Sequence, residues 1–138
     1  MTSAREHNRL KETTWVGELG IEVVSAERGT VVGQIQVRPE FLAPNGFIHG
    51  AVLVSFADSL CGSGTVEALP QGATGHTTIE LKANLLGTVR KGIVECRATL
   101  VHGGRTTQVW DATVIAKETG KTIALFRCTQ LVLYPARE

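Results

Sequence analysis

The sequence carries almost no net charge: 14 Lys and Arg stand against 13 Asp and Glu, a formal +1 over 138 residues. Bulk electrostatics therefore favour neither nucleic acid nor an anionic membrane surface, and any anionic ligand must be held by a local cluster. No apolar run approaches the roughly 20 residues of a membrane-spanning helix. The opening, MTSAREHNRLKETTW, lacks the apolar centre of a secretory leader, so a soluble cytoplasmic chain is expected. Cysteine is scarce and odd in number. Cys61, Cys96 and Cys128 lie far apart, without metal-ligand spacing and each in an apolar or strand-like run, which predicts free core thiols. No metal or resident cofactor is expected. There is no internal repeat and no low-complexity segment, and the length suits one domain spanning residues 1–138.

A local absence is more telling. Between Phe41 and Ile79 there is no Lys or Arg, and the acids are Asp58 and Glu67 alone. From Lys82 onward cations recur, which makes the second half the place to look for phosphate contacts.

What is present reads as alternating blocks. Ser3 to about Val16 has helix-forming content, with Ser3 as N-cap and Glu6 in capping-box position. Val31, Gly33, Ile35 and Val37 then alternate with Thr30, Val32, Gln34 and Gln36 after the turn Glu27-Arg28-Gly29, a hairpin ending at Pro39. From about His49 to Leu69 the period changes. The run is small or apolar nearly all round and is bounded by Asn45-Gly46 and Pro70-Gln71-Gly72, as a helix buried on most sides would be. Four further strands follow: HTTIELKANLL, with Thr77, Ile79, Leu81, Ala83 and Leu85 expected on one face, then GIVECRATLV, TTQVWDATVIAKE and TIALFRCTQLVLY. The pattern predicts an α+β domain, an antiparallel sheet wrapped around one long central helix, with a short N-terminal helix. A single sheet on one helix leaves the other sheet face half apolar, so a second subunit is expected to cover it.

Asp58 is the anomaly of that central helix. Its i±3, i±4 and i±7 neighbours are Ala51, Val54, Ser55, Cys61, Gly62 and Thr65, none of them a cation. An ionised carboxylate buried alone costs several kcal/mol, so this one is hydrogen-bonded, opens on a cleft, or is raised in pKa, as a general base requires. A structural role and a catalytic one weigh about equally on this pattern. His49, at the helix start, more often caps or packs than reacts. Gly50 in the first turn would leave a backbone N–H along the helix axis, at the positive end of the dipole, able to polarise a carbonyl oxygen. Gly50 and Asp58 lie roughly 12 Å apart along one helix, too far to act on the same atom. A site built from both needs a second subunit.

The run HGAVLVSFAD, His49-Gly50 with an acid nine residues after the His, resembles the HGG…D/E helix of hotdog-fold acyl-CoA thioesterases, specifically the phenylacetate-degradation and Arthrobacter-type 4-hydroxybenzoyl-CoA thioesterase group. The similarity extends over TTIELKANLLG, HGGRTT and GKTIALFRCTQ. It implies a homo-oligomer, a dimer of hotdogs usually paired into a tetramer, whose sites combine two subunits and hydrolyse an acyl-CoA, with an aryl group favoured. CoA is then part of the substrate. By resemblance, Gly50 supplies the amide that polarises the thioester carbonyl, and Asp58 of the partner helix attacks it or activates water. Ala51 replaces the second Gly. The family's Asn or Gln six residues before the His is Ala43 here, with Asn45 as the replacement; Thr78, or alternatively Thr77, matches the hydroxyl placed near the acid. HGGRTT resembles the turn that meets the CoA nucleotide, which points to Gly104, Arg105 and Thr106. Val54, Phe56 and Leu60 are expected along the acyl pocket, and Phe47 and Trp110 in core or pocket. The chain lacks the GD…NP…H pattern of a hotdog hydratase; a non-catalytic acyl-CoA-binding protein is the other alternative.

Overall fold

The computed structural model describes residues 2–137. Helix α1 (Ala4–Lys11) begins as the sequence predicts, with Ser3 accepting from Glu6 N–H. The expected single leading helix is interrupted, however. Thr14 N–H turns back to Lys11 O, and the extended backbone of Thr14 starts a separate turn, α2 (Trp15–Glu18). Strands β1 (Glu22–Glu27) and β2 (Thr30–Gln36) form the predicted hairpin, its turn made by Gly29 at φ +91°. Helix α3 (Gly50–Glu67) is followed by β3 (Gly75–Leu85), β4 (Ile93–Gly103), β5 (Thr107–Ala116) and β6 (Lys121–Leu133).

All six strands join one antiparallel sheet in the order β1-β2-β4-β5-β6-β3, and α3 lies across its inner face in contact with every strand. This is the hotdog architecture. Leu53, Phe56, Ala57, Leu60 and Cys61 of α3 are buried against Val31, Ile35, Cys96, Trp110 and Val114 of the strands. Burying each such large side chain contributes about 1.5–3 kcal/mol. Two glycines permit the close approach: a Cβ on Gly33 would meet the methyls of Leu60, and one on Gly64 would meet the indole of Trp110.

The alternation expected in β3 is corrected by a bulge. The register with β6 shifts between Thr78 and Glu80, so Ile79 is the extra residue. Before the bulge Thr78 lies opposite the buried Gln130; after it Leu81 and Ala83 lie opposite the buried Cys128 and Phe126. Thr78 thus shares the inner face with Leu81, Ala83 and Leu85, while Thr77 falls on the other side.

The two sheet edges differ. At β1, the Asn8 side chain of α1 donates to Val23 O (3.0 Å) and accepts from Val23 N–H (2.7 Å), standing in for a neighbouring strand. At β3 nothing among the described residues covers the edge, and Ile79, Leu81 and Leu85 are 56%, 43% and 53% exposed. The outer sheet face is more polar than expected, with Arg127 and Asp111 paired across β5 and β6 at 2.5 and 2.8 Å. Exposed apolar residues run along β3 and the segment after it, Ile79, Leu81, Leu85 and Leu86, while Val24, Val101, Leu125 and Leu133 are scattered over other strands.

Candidate active site

Helix α3 is held at both ends. At its start His49 is the N-cap: its Nδ1 accepts from Ala51 N–H at 3.1 Å, and its own N–H donates to Phe41 O. A neutral ring bonded this way carries its hydrogen on Nε2. At the far end the buried His7 meets Glu67 at 2.9 Å, and Thr2 N–H donates to the same carboxylate at 3.0 Å, which fixes α1 against α3.

The first candidate cleft, about 530 Å³, lies at the start of α3 and is lined by Asn45, Phe47, His49, Gly50, Leu85 and Thr88 among others. Gly50 N–H occupies the first helical position, where no intrahelical acceptor exists, and no loop or cap group among the described residues bonds it. It therefore opens on this cleft as an unpaired donor reinforced by the helix dipole. Asn45 Oδ1 is spent on Phe47 N–H (3.1 Å), which leaves its carboxamide NH₂ to project from an exposed turn. Phe47 is 49% exposed under the Arg90 guanidinium, 5.7 Å from the ring centre, and is a cleft residue. Trp110 is core: fully buried, it donates to Gln108 Oε1 at 2.9 Å.

Asp58 does not reach that cleft. It opens on a second one of about 220 Å³, with Lys11, Val16, Ser59, Gly62, His76 and Thr78. The half-buried carboxylate is bonded rather than orphaned, since Thr78 Oγ1 donates to its Oδ1 at 2.8 Å. Thr78, and not Thr77, is the neighbour because the bulge at Ile79 sets the phase. Asp58 Oδ2 has no partner among the described residues.

Gln130 and His76, which sequence reasoning missed, stand behind Thr78. Gln130 of β6, 0% exposed, donates from Nε2 to Thr78 Oγ1 at 2.8 Å, and its Oε1 meets His76 Nδ1 at 3.0 Å. The available signal was a polar amide on the inward phase of an apolar strand, between Cys128 and Val132. Lys11 was missed for another reason. It comes from α1, donates to Ser63 Oγ, and is brought into the cleft only by the tertiary docking of α1; burial lowers its pKa.

Phe56 and Leu60 are corrected: both are fully buried in the core, Leu60 against Gly33, and line neither cleft. Val54 is half-buried at the seam of α3 and β3, beside Ala83 and Leu85. Gly104 and Arg105 form, with Arg28, Pro70 and Leu100, a third cleft of about 320 Å³ at the β4–β5 turn. A Cβ on Gly104 would crowd His102 Nε2 at 2.9 Å and Thr107 O at 3.1 Å. Thr106 O accepts from Val132 N–H, and the exposed Arg105 sits over Tyr134 at 5.5 Å. The three clefts share no lining residue. The three thiols are buried as expected, and burial pushes Cys96 up to about 12. Among the described residues no His, Cys, Asp and Glu cluster could hold a metal ion, and no helix is long and apolar enough to cross a membrane.

Comparison with known proteins fits this geometry. Residues 45–123, which include α3 and both candidate catalytic groups, match the thioesterase superfamily. The 1,4-dihydroxy-2-naphthoyl-CoA hydrolase of Listeria monocytogenes is 34% identical over 111 residues, 80% of this chain and 89% of that one. The crystal structure of thioesterase HI1161 from Haemophilus influenzae superposes with a TM-score of 0.91 at 27% identity, covering 100% of this chain and 95% of that one. The PaaI protein of the E. coli phenylacetic acid degradation operon shares the fold, with a TM-score of 0.81 at 24% identity over 91% of this chain and 88% of that one. The chain belongs to the thioesterase superfamily and is a thioester hydrolase of the hotdog fold.

Proposed function

We propose that the chain hydrolyses an aryl-CoA thioester to the free acid and CoA, in sites that combine Gly50 of one copy with Asp58 of another. The observation that carries this reading is the separation of the two groups. They open on different clefts at opposite ends of the uncovered β3 edge, Thr78 near Asp58 and Leu85 beside Gly50. Pairing two β3 edges antiparallel about a two-fold axis brings the Thr78 end of one strand against the Leu85 end of the other. Asp58 then approaches the partner's first cleft, and the exposed Ile79, Leu81 and Leu85 are covered.

In such a site the thioester oxygen accepts from Gly50 N–H, which strengthens its hold as negative charge develops on that oxygen. The Asn45 carboxamide is a second donor on the same rim, and His49 fixes the helix turn that presents Gly50. The free Oδ2 of Asp58 has two possible tasks. As a base it takes a proton from water, which attacks the carbonyl; as a nucleophile it forms a mixed anhydride that water then opens. Either way the C–S bond breaks and CoA leaves as the thiol. The cleft of Gly104 and Arg105, with the neighbouring Thr106, would take the CoA phosphates, the guanidinium supplying paired donors. The aryl preference rests on the naphthoyl substrate named for the Listeria relative and the aromatic operon of PaaI.

Thiol release from a panel of aryl and straight-chain acyl-CoAs tests the reaction. Asp58→Asn should lose about 10²–10⁴-fold in kcat with its fold intact. Co-expression with a Gly50→Pro chain tests the sharing: mixed dimers contain one intact site, so activity returns to about a quarter of wild type. Thioester binding without thiol release would favour a non-catalytic binding protein, and no recovery on mixing would refute the shared site.

A further inference from the structure

We propose that Gln130 and His76 are positioning residues for the hydrolysis, locking the Asp58 carboxylate through Thr78. The proposal rests on the reading that Asp58 is the reacting carboxylate.

The directions of the hydrogen bonds carry the inference. An ionised carboxylate only accepts, so at 2.8 Å the Thr78 hydroxyl must donate to Asp58 Oδ1. With its hydrogen committed, Thr78 Oγ1 accepts, and Gln130 Nε2 supplies that donor at 2.8 Å. The same amide then presents Oε1 to His76 Nδ1 at 3.0 Å, which makes this nitrogen the one bearing hydrogen. Turning the amide over would set an acceptor against Thr78 Oγ1, draw the hydroxyl hydrogen away from Asp58, and require the other tautomer of His76. Each bond therefore fixes the next, from the imidazole to the carboxylate.

Burial says why this matters. Gln130 has no access to water, and its inward neighbours along β6 are the buried Cys128 and Val132. An amide at such a place must satisfy all of its polar atoms internally, where an apolar residue would pack without that demand. Here the second Nε2 hydrogen reaches Cys128 Sγ at 3.3 Å, so the amide is held at Cys128, Thr78 and His76. The far end is also shaped for the imidazole. Gly62, one turn beyond Asp58 on α3, would place a Cβ 3.2 Å from His76 Cε1; its missing side chain makes the room that keeps the ring over the helix. The consequence at the reacting group is one fixed rotamer, with Oδ1 tied down and Oδ2 turned to the cleft. A displacement of the order of 1 Å at such a group costs up to about 10²-fold in rate.

The test is a double-mutant cycle in the full-length protein, with thiol release as readout. Gln130→Leu should lower kcat roughly tenfold and leave KM within about twofold. In a Thr78→Val background the same change should cost nothing further, because the path to Asp58 is already cut. Losses that multiply in the double variant, or a wild-type kcat for Gln130→Leu, would reduce Gln130 to core packing and overturn the proposal. Should Gln130→Leu fail to fold, the pair His76→Asn and His76→Leu decides at the cleft surface. Asn keeps a donor near the Nδ1 position and should retain most of kcat, whereas Leu should lose it; equal activity in the two variants refutes the relay. Asp58→Asn is measured beside them. Wild-type turnover in that variant would sink the underlying assignment, while a dead Asp58→Asn with unaffected Gln130 and His76 variants sinks the relay alone.

Discussion

A Cβ placed on Gly64 would overlap Cη2 of Trp110, a fully buried ring whose Nε1 is tied to Gln108 Oε1. Gly64 is therefore the point at which the central helix is allowed to touch β5. Gly64→Ala pits two effects against each other. The helix interior gains about 0.8–1.0 kcal/mol from losing a glycine, whereas overpacking a rigid core contact costs about 1–3 kcal/mol. The indole cannot swing aside without breaking its bond to Gln108, so the cost wins. Urea unfolding should show a net loss, while Gly62→Ala, whose Cβ would stop 3.2 Å from the half-buried His76 ring at the cleft rather than overlap a core ring, should lose less. Equal stability in the two variants would contradict the packing described.

Gly50 separates a donor from a side chain. A Cβ there meets only Leu85 Cδ1, the end of a flexible and half-exposed side chain, so Gly50→Ala keeps the N–H and asks Leu85 to move. Gly50→Pro makes a similar demand on Leu85 but removes the donor. Proline is tolerated at the first helical position, and His49, at φ −67° and ψ 128°, already has the extended backbone that precedes a proline. Both variants should fold. The alanine form should keep most of its kcat, and the proline form should lose about 10²–10³-fold, the usual effect of deleting an oxyanion donor. Matching kinetics for the two would remove Gly50 N–H from the reaction.

These variants turn on features that differ in how far the sequence revealed them. The hairpin ending at Pro39 and the meander of β4 to β6 were legible because their apolar residues alternate at the spacing of a strand, and α3 because a long run without that alternation is bounded by turn residues. Asp58 was legible as an acid with no cation on its face. The phase of β3 was not, since nothing in HTTIELKANLL marks Ile79 as the bulged residue; the shift is set by pairing with β6, a partner distant in sequence. The Gln130 contacts depend on that phase and were hidden with it. Phe56 and Leu60 were misplaced for a related reason. On a helix apolar nearly all round, hydropathy does not say which side meets the sheet and which the cleft.

Lys11 ties the stability of the fold to the cleft of Asp58. Its ammonium donates to Ser63 Oγ, no carboxylate pairs with it among the described residues, and burial lowers its pKa from 10.5. The sign follows from linkage. Below the folded value both states hold the proton and the folded state bears the full desolvation cost. Between the folded value and 10.5 the unfolded chain binds more protons, so stability rises with pH through that window. Lys11→Met removes the buried charge and keeps most of the side-chain volume. Its unfolding free energy at pH 7 should equal or exceed that of the wild type, and its pH slope up to 10.5 should be flatter. Urea titrations at several pH values across this window read both quantities. A parallel slope in the two proteins would mean that the ammonium is no less hydrated in the fold than in the unfolded chain, and that α1 does not seal it into the cleft.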